Sequence, residues 1–257
     1  GGHASRALVF DGLGQLVATG SVPIETLRNA DGHIEHEPEA LIDSLRNAIA
    51  AACKDLPAGS RIIAAGLATQ RSSMCCWNRR SGAALSPVIS WQDRRNAAWL
   101  EKLGPHAGMI RARTGLVLTP HYGASKMRWC LDHLPGVQAA HAAGELVMGP
   151  LASFIACRLL AGQPCYADPA SAARTQLWDP ATRDWSEELL QLFGIDRADL
   201  PRAVNNRHAW GQLDMPLGPV PLTVVTGDQS AVPFAFGALD AATAYVNIGT
   251  GAFIQRA

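Results

Sequence analysis

Apolar positions change period several times along this 257-residue chain, and each change marks an element. Residues 39–52 carry Leu41, Ile42, Leu45, Ala48, Ile49 and Ala52 at spacings of three and four, with Pro38 just ahead. That period predicts an amphipathic helix with proline at its first position, where the N–H it lacks has no helical partner anyway. Residues 6–19 read instead as two short apolar strands around an Asp11-Gly12 turn, a hairpin. An unbroken apolar run at 62–67 predicts a buried strand, and 73–77 with 88–91, closed by the polar turn at 78–82, a second hairpin. Helices are predicted around 95–103, 124–134 and 151–160, the last with Pro150 in front and Gly162 behind. Over 185–194, Ser186 supplies a cap, Glu187 and Glu188 an acidic first turn, and Gly194 a stop. Residues 201–221, rich in Pro, Gly and Asn, predict irregular backbone. A strand at 222–226 leads into Gly227-Asp228-Gln229 and a helix, and strands at 244–248 and 252–254 flank Gly249-Thr250-Gly251. Strand, helix and strand in alternation predict α/β packing.

Charge narrows the classes. The 22 Lys and Arg balance 22 Asp and Glu, so the basic excess that neutralises phosphates on nucleic acid or at a membrane surface is missing, and neither partner is expected. The longest apolar stretch, 146–161, is broken by Gly149, Pro150 and Arg158 before it could span a bilayer. No basic leader precedes an apolar core, so the chain reads as cytoplasmic. Its six cysteines include no C-x-x-C pair and no zinc-spaced Cys/His quartet, which predicts reduced, buried thiols and no metal site built from them.

Familiar catalytic motifs are absent: no G-x-x-x-x-G-K-[ST] loop, no G-x-S-x-G elbow, no H-E-x-x-H. Two glycine turns remain, Gly1-Gly2 and Gly249-Thr250-Gly251, of the kind that lets backbone N–H groups approach a phosphate. Either alone is an ordinary hairpin turn. Gly227-Asp228-Gln229 says more, because it sets a carboxylate at the C-terminal end of a buried strand, where α/β sheets present ligands.

Several segments together resemble the FGGY carbohydrate kinase family. Residues Thr69-Gln70-Arg71-Ser72-Ser73 resemble its N-Q-R-E-T segment, and Trp77-Asn78-Arg79-Arg80-Ser81-Gly82 its W-D-R-E-T-G. Trp91-Gln92-Asp93-Arg94-Arg95 is similar to W-Q-D-x-R, and Arg113-Thr114-Gly115-Leu116 with Pro120-His121-Tyr122-Gly123-Ala124-Ser125-Lys126 to R-T-G-L and P-Y-F-S-x-x-K. Asp168-Pro169-Ala170-Ser171-Ala172-Ala173-Arg174-Thr175 resembles D-x-S-N-A-S-R-T, and Gly227-Asp228-Gln229 and Gly249-Thr250-Gly251 complete the series in family order.

The resemblance implies an α/β, actin-like ATPase domain related to ribonuclease H, a mixed sheet flanked by helices. It implies ATP and Mg2+ as cofactors, a small sugar or polyol as substrate, and room for a homodimer. Residues 1–239 would be the sugar-binding N-terminal domain, with its first strand missing ahead of Gly1, and 240–257 the opening hairpin of the ATP-binding domain. The family's magnesium-binding Asp would then lie off the chain, and the chain alone would be inactive. Asp228 takes the role of general base, since a neutral hydroxyl is a weak nucleophile toward a phosphoryl group. Arg71, Ser72, Trp91, His121, Gln229 and Phe253 match substrate-contacting positions. Gly1, Gly2 and Arg6 match the first phosphate loop, and Gly249, Thr250 and Gly251 the second. In motifs the chain stands nearer the glycerol kinases than the xylulokinases, yet Ser72 replaces their Glu and His121 their Tyr, which argues against glycerol. A non-catalytic actin-like module that binds sugar or nucleotide, its pocket drifted, is the alternative.

Overall fold

The computed structural model describes residues 2–248 and 252–256. Strands β1 (Ala4–Phe10) and β2 (Leu16–Pro23) form the first hairpin, antiparallel with Ala4 opposite Pro23. Asp11 closes its turn, its carboxylate accepting from the Leu13 and Gln15 N–H groups at 2.8 and 2.9 Å. Helix α1 (Pro38–Lys54) follows, with Pro38 in its first turn as the periodicity predicts and the Glu37 carboxylate accepting from the Ala40 N–H. It presses on β2 so closely that a Cβ at Gly20 would stand 2.0 Å from the Ala48 carbonyl oxygen. Glycine is required there by the neighbouring backbone, since a helix main chain cannot retreat without moving the helix.

A five-stranded antiparallel sheet runs in the order β3 (Leu27–Arg28), β4 (Ile34–His36), β7 (Val88–Ile89), β6 (Met74–Asn78), β8 (Leu146–Pro150). It is covered on both faces, so β6 shows an unbroken apolar run where a half-exposed strand would alternate. Met74 and Cys76 point into one apolar cluster, and Cys75 and Trp77 into another. The first cluster is roofed by α2 (Ala97–Glu101), α3 (Ala107–Thr114), α4 (Gly123–His133), α5 (Pro135–Ala142) and α8 (Glu187–Phe193), the last capped by Ser186 and stopped by left-handed Gly194 as predicted.

Behind the other face lies α6 (Leu151–Leu159), which is apolar on all sides because it is sandwiched between sheets. Its far side meets a mixed three-stranded sheet, β13 (Arg207–Leu213), β14 (Val220–Gly227), β5 (Ala65–Thr69), in which β14 runs antiparallel to β13 and parallel to β5. Short pairs, β9 (Tyr166–Ala167) with β12 (Arg202–Ala203) and β10 (Trp178–Asp179) with β11 (Asp184–Trp185), flank α7 (Pro169–Ala172). Helix α9 (Asp228–Ala231) follows β14, and β15 (Ala244–Ile248) with β16 (Ala252–Arg256) forms a last hairpin.

Three expectations need correction. The strand expected at 62–67 begins only at Ala65, and Ile63 is 75% exposed at the mouth of an apolar slot. The helix over 95–103 is a single short turn at Ala97–Glu101, since left-handed Asn96 starts it late. Residues 201–221 contain β12 and β13; the glycine inside β13, Gly211 at φ +139°, belongs to a register shift between Arg207 and Gly211. All six cysteines are free thiols, five of them buried, as expected. Among the described residues no helix is long and apolar enough to cross a membrane.

A cavity of about 830 Å³ forms a slot between β1 and β5. Among the described residues β1 pairs with β2 and β5 with β14, so each leaves one edge without a strand partner. Leu8, Phe10, Ile62, Ile63, Leu159 and Leu222 line the slot, a composition suited to packing and poor in groups for chemistry.

Gly20→Ala should lower unfolding free energy on the order of 3 kcal/mol, because the new methyl meets helix backbone. Gly12→Ala, in open space, should change it by less than about 0.5 kcal/mol. Urea unfolding of both variants checks this; equal midpoints would show that α1 is not seated on β2 as described.

Candidate active site

The parallel pairing of β5 with β14 sets Thr69 beside Gly227. Both strands therefore end together, and the segments that follow, Gln70-Arg71-Ser72 and Asp228-Gln229-Ser230, lie side by side at their C-terminal ends. Arg71 folds back across Gly227: a Cβ there would fall 2.3 Å from its Cδ and 2.5 Å from its Cγ. The absent side chain is what gives the arginine its path. Arg71 Nη1 then donates to Ser230 Oγ at 3.3 Å. Burial and the nearby Arg174 push the Arg71 pKa down, while Asp228 and Asp168 draw it up. Asp228 opens α9, half-buried, and its Oδ1 accepts from the Gln229 N–H at 2.7 Å.

Trp91 and His121 meet beside this pair. Their rings stand 5.8 Å apart edge to face, and His121 makes a second edge contact with Tyr122 at 4.9 Å. Trp91 is 39% exposed and offers an apolar face, its backbone N–H donating to Ser73 Oγ at 2.9 Å. Burial lowers the His121 pKa to about 4, helped by the charges of Lys126, Arg174, Arg94 and Arg71. The imidazole is therefore neutral at pH 7, with one ring nitrogen to donate and one to accept. The Arg174 guanidinium lies over the Tyr122 ring at 4.9 Å, which brings a second cation to the same wall.

Other expected residues are placed differently. Ser72 belongs to the same turn, in the left-handed region at φ +65°, but its hydroxyl is enclosed and has no hydrogen-bond partner. Gln229 is held by the last hairpin: its side-chain oxygen accepts from Asn247 Nδ2 at 3.0 Å and its carbonyl from Gln255 Nε2 at 2.6 Å. Phe253 pairs with Asn247 and shares a strand face with Gln255, so it stands on the hairpin face turned toward Gln229. Gly2 lies at this end of the molecule too. Its neighbour His3 accepts from the Ile24 N–H, Glu25 contacts His36, and His36 contacts Gln70. Arg6 is exposed on β1 at the rim of the apolar slot, away from this set. Gly1, Gly249, Thr250 and Gly251 lie outside the described residues.

Sequence reasoning passed over three groups. Gly227 was read only as part of a turn, and the clearance it gives Arg71 is a tertiary matter. Lys126 is fully buried with its ammonium between the Ser72 and His121 carbonyls. Asp168, also buried, caps α7 by accepting from the Ser171 N–H at 3.0 Å and faces Asn206 Nδ2 at 3.3 Å, while its Oδ1 has no partner. Burial raises its pKa to about 6. A cap was foreseeable from Asp168-Pro169, its burial was not. Among the described residues no group of three or more His, Cys, Asp or Glu could hold a metal ion.

Comparison with known proteins places the chain in context. The model of the N-terminal domain of the FGGY family of carbohydrate kinases matches residues 1–247. A glycerol kinase of Rhodospirillum rubrum is 37% identical over 258 residues, covering 98% of this chain and 52% of its own length. One from Rhodospirillum centenum is 34% identical over 262 residues, covering 99% and 52%. The chain thus spans about half the length of the curated relatives it matches. Among solved structures, Plasmodium falciparum glycerol kinase with ADP superposes with a TM-score of 0.91 at 24% identity, covering 98% of this chain and 52% of that one. Xylulose kinase from Rhodospirillum rubrum gives 0.87 at 20% identity, covering 98% and 52%. The fold is therefore the actin-like, ribonuclease H-like fold of these kinases.

Gly227→Ala should evict Arg71 from its path and break its bond to Ser230 while lowering stability by less than about 2 kcal/mol, because a flexible side chain can yield where backbone cannot. A crystal structure of the variant with a melting curve checks this. Arg71 unmoved would show that the glycine does not set its position.

Proposed function

Since this chain belongs to the FGGY family of carbohydrate kinases, as the N-terminal domain of that family, we propose that it carries the acceptor site of an ATP-dependent kinase that phosphorylates a hydroxyl of a sugar or polyol. The observation that carries this reading is the juxtaposition of Arg71 with Asp228 at the ends of paired parallel strands. Arg71 donates to vicinal hydroxyls through a planar fork, and Trp91 offers its face to carbon-bound hydrogens. Neutral His121 adds one donor and one acceptor for further hydroxyls. Asp228 accepts the proton of the hydroxyl that attacks the γ-phosphorus, and the bond from that phosphorus to the β–γ bridging oxygen breaks as the new oxygen–phosphorus bond forms.

ATP, when bound, supplies the phosphoryl group; Gly2, Gly249, Thr250 and Gly251 are the residues we assign to its phosphates. For magnesium, the described residues hold no cluster of three or more His, Cys, Asp or Glu. We further read residues 1–239 as the sugar-binding domain and 240–257 as the opening of a second. The apolar slot between β1 and β5 supports one more apolar strand in the first domain, and the β15–β16 hairpin, which pairs only within itself among the described residues, supports the boundary.

In the full-length protein, Asp228→Asn should lower turnover by roughly 10²–10⁴-fold with ATP affinity within about threefold. Steady-state kinetics and nucleotide titration check this; turnover within a few-fold of wild type would remove Asp228 from the base role and favour a binding module. A screen of acceptors should also rank a four- to seven-carbon polyol or ketose above glycerol by kcat/KM, because Ser72 and His121 present no carboxylate and no phenol. Glycerol ranking first would overturn that inference.

A further inference from the structure

A fully buried ionisable group beside the site belongs to a residue with no role so far. Lys126, on α4, is fully buried, and its ammonium donates to the Ser72 carbonyl at 3.0 Å and to the His121 carbonyl at 2.8 Å. Those carbonyls come from two loops that lie 49 positions apart in sequence, one carrying Arg71 and the other carrying His121. We propose that Lys126 is a positioning residue, a clasp that fixes the Arg71 loop against the His121 loop and so sets the spacing of the acceptor site.

Ion pairing does not account for its burial. The carboxylate that influences it, Asp93, is held by Arg95 through Nε at 2.9 Å and Nη2 at 2.7 Å, and also accepts from the Ile34 N–H at 2.6 Å. Nor does packing, since a methionine would fill similar space without the several kcal/mol or so that burying an ammonium costs. What the amine adds is two directed N–H groups. Burial lowers its pKa to about 7, and the neutral amine keeps two N–H groups for the two carbonyls, so the clasp holds in either protonation state.

The Ser72 turn has a reason to need it. At φ +65° a serine sits in a region that L side chains enter at a cost on the order of 1 kcal/mol, and its hydroxyl makes no bond that would compensate. Its carbonyl, fixed by Lys126, is what pins the peptide orientation and with it the departure of Arg71 toward Gly227. On the other side, the segment from Gly115 to Tyr122 has no helix or strand of its own. It is tied down by the Lys126 bond, by Gln176 Nε2 donating to the Val117 carbonyl at 2.8 Å and, just beyond its end, by the Gly123 and Ala124 N–H groups donating to the Arg174 and Thr175 carbonyls.

This inference rests on the acceptor-site reading, and its test separates the two. In the full-length enzyme, Lys126→Met should raise the acceptor KM by roughly tenfold or more with ATP KM within about twofold, and Lys126→Arg, which keeps donors, should recover part of the loss. Should Lys126→Met fail to fold, Lys126→Gln, too short to reach both carbonyls, carries the same prediction. Acceptor KM unchanged, both KM values rising together, or neither variant folding would each overturn the clasp and leave Lys126 a residue of the fold. An unchanged acceptor KM beside an inactive Asp228→Asn enzyme would sink the clasp alone, whereas an active Asp228→Asn enzyme would sink the site reading beneath it.

Discussion

The pairing of β5 with β14 is the constraint on which the rest depends. Two parallel strands in register must end together, so the residues after Thr69 and after Gly227 are forced into one place. Asp228 and Arg71 are thereby brought to the same strand ends, although 157 positions separate them in sequence. That register in turn relies on α6, whose small residues Ala152 and Ala156 let the mixed sheet approach and whose Phe154 and Cys157 hold the antiparallel sheet on the opposite side. The site is thus a product of layer packing, with each loop anchored to a rigid strand or helix end.

Around this junction, polar groups are buried where the loops need holding. Lys126 joins two loops through backbone carbonyls, Asp168 caps a short helix and faces Asn206, and Asn206 donates to the Val225 carbonyl on β14 at 2.8 Å. Buried groups of this kind are costly unless satisfied, and most have partners on more than one segment. Those left unsatisfied are concentrated here, in Thr69, Gln70, Ser72, Asp168, Ser171, Arg174 and Gln176.

Much of the local structure was legible in the chain. The α1 period, the Ser186 to Gly194 caps and the two hairpins at either end follow from short-range rules that tertiary contacts did not override. The β13 strand was hidden because its register shift breaks the alternation by which an edge strand is recognised. The 62–67 run misled because its first residues line a slot instead of joining a sheet. For the site, Asp228 and Arg71 could be picked out by motif, and their placement at neighbouring strand ends follows from strand pairing. Ser72 shows the limit: its position in a motif suggests contact with substrate, while the left-handed turn encloses its hydroxyl. Lys126 was visible as the last residue of a motif, but only its burial between two carbonyls reveals what it holds.

The central question is whether one bound acceptor reaches both Asp228 and Arg71 through adjacent hydroxyls. A crystal structure of the full-length protein with its preferred acceptor and a non-hydrolysable ATP analogue measures that directly. The account predicts the reactive hydroxyl within about 3.2 Å of an Asp228 carboxylate oxygen, with Arg71 bonded to a neighbouring hydroxyl and Trp91 against the carbon skeleton. An acceptor bound in the β1–β5 slot, or one whose reactive hydroxyl faces away from Asp228, would contradict it.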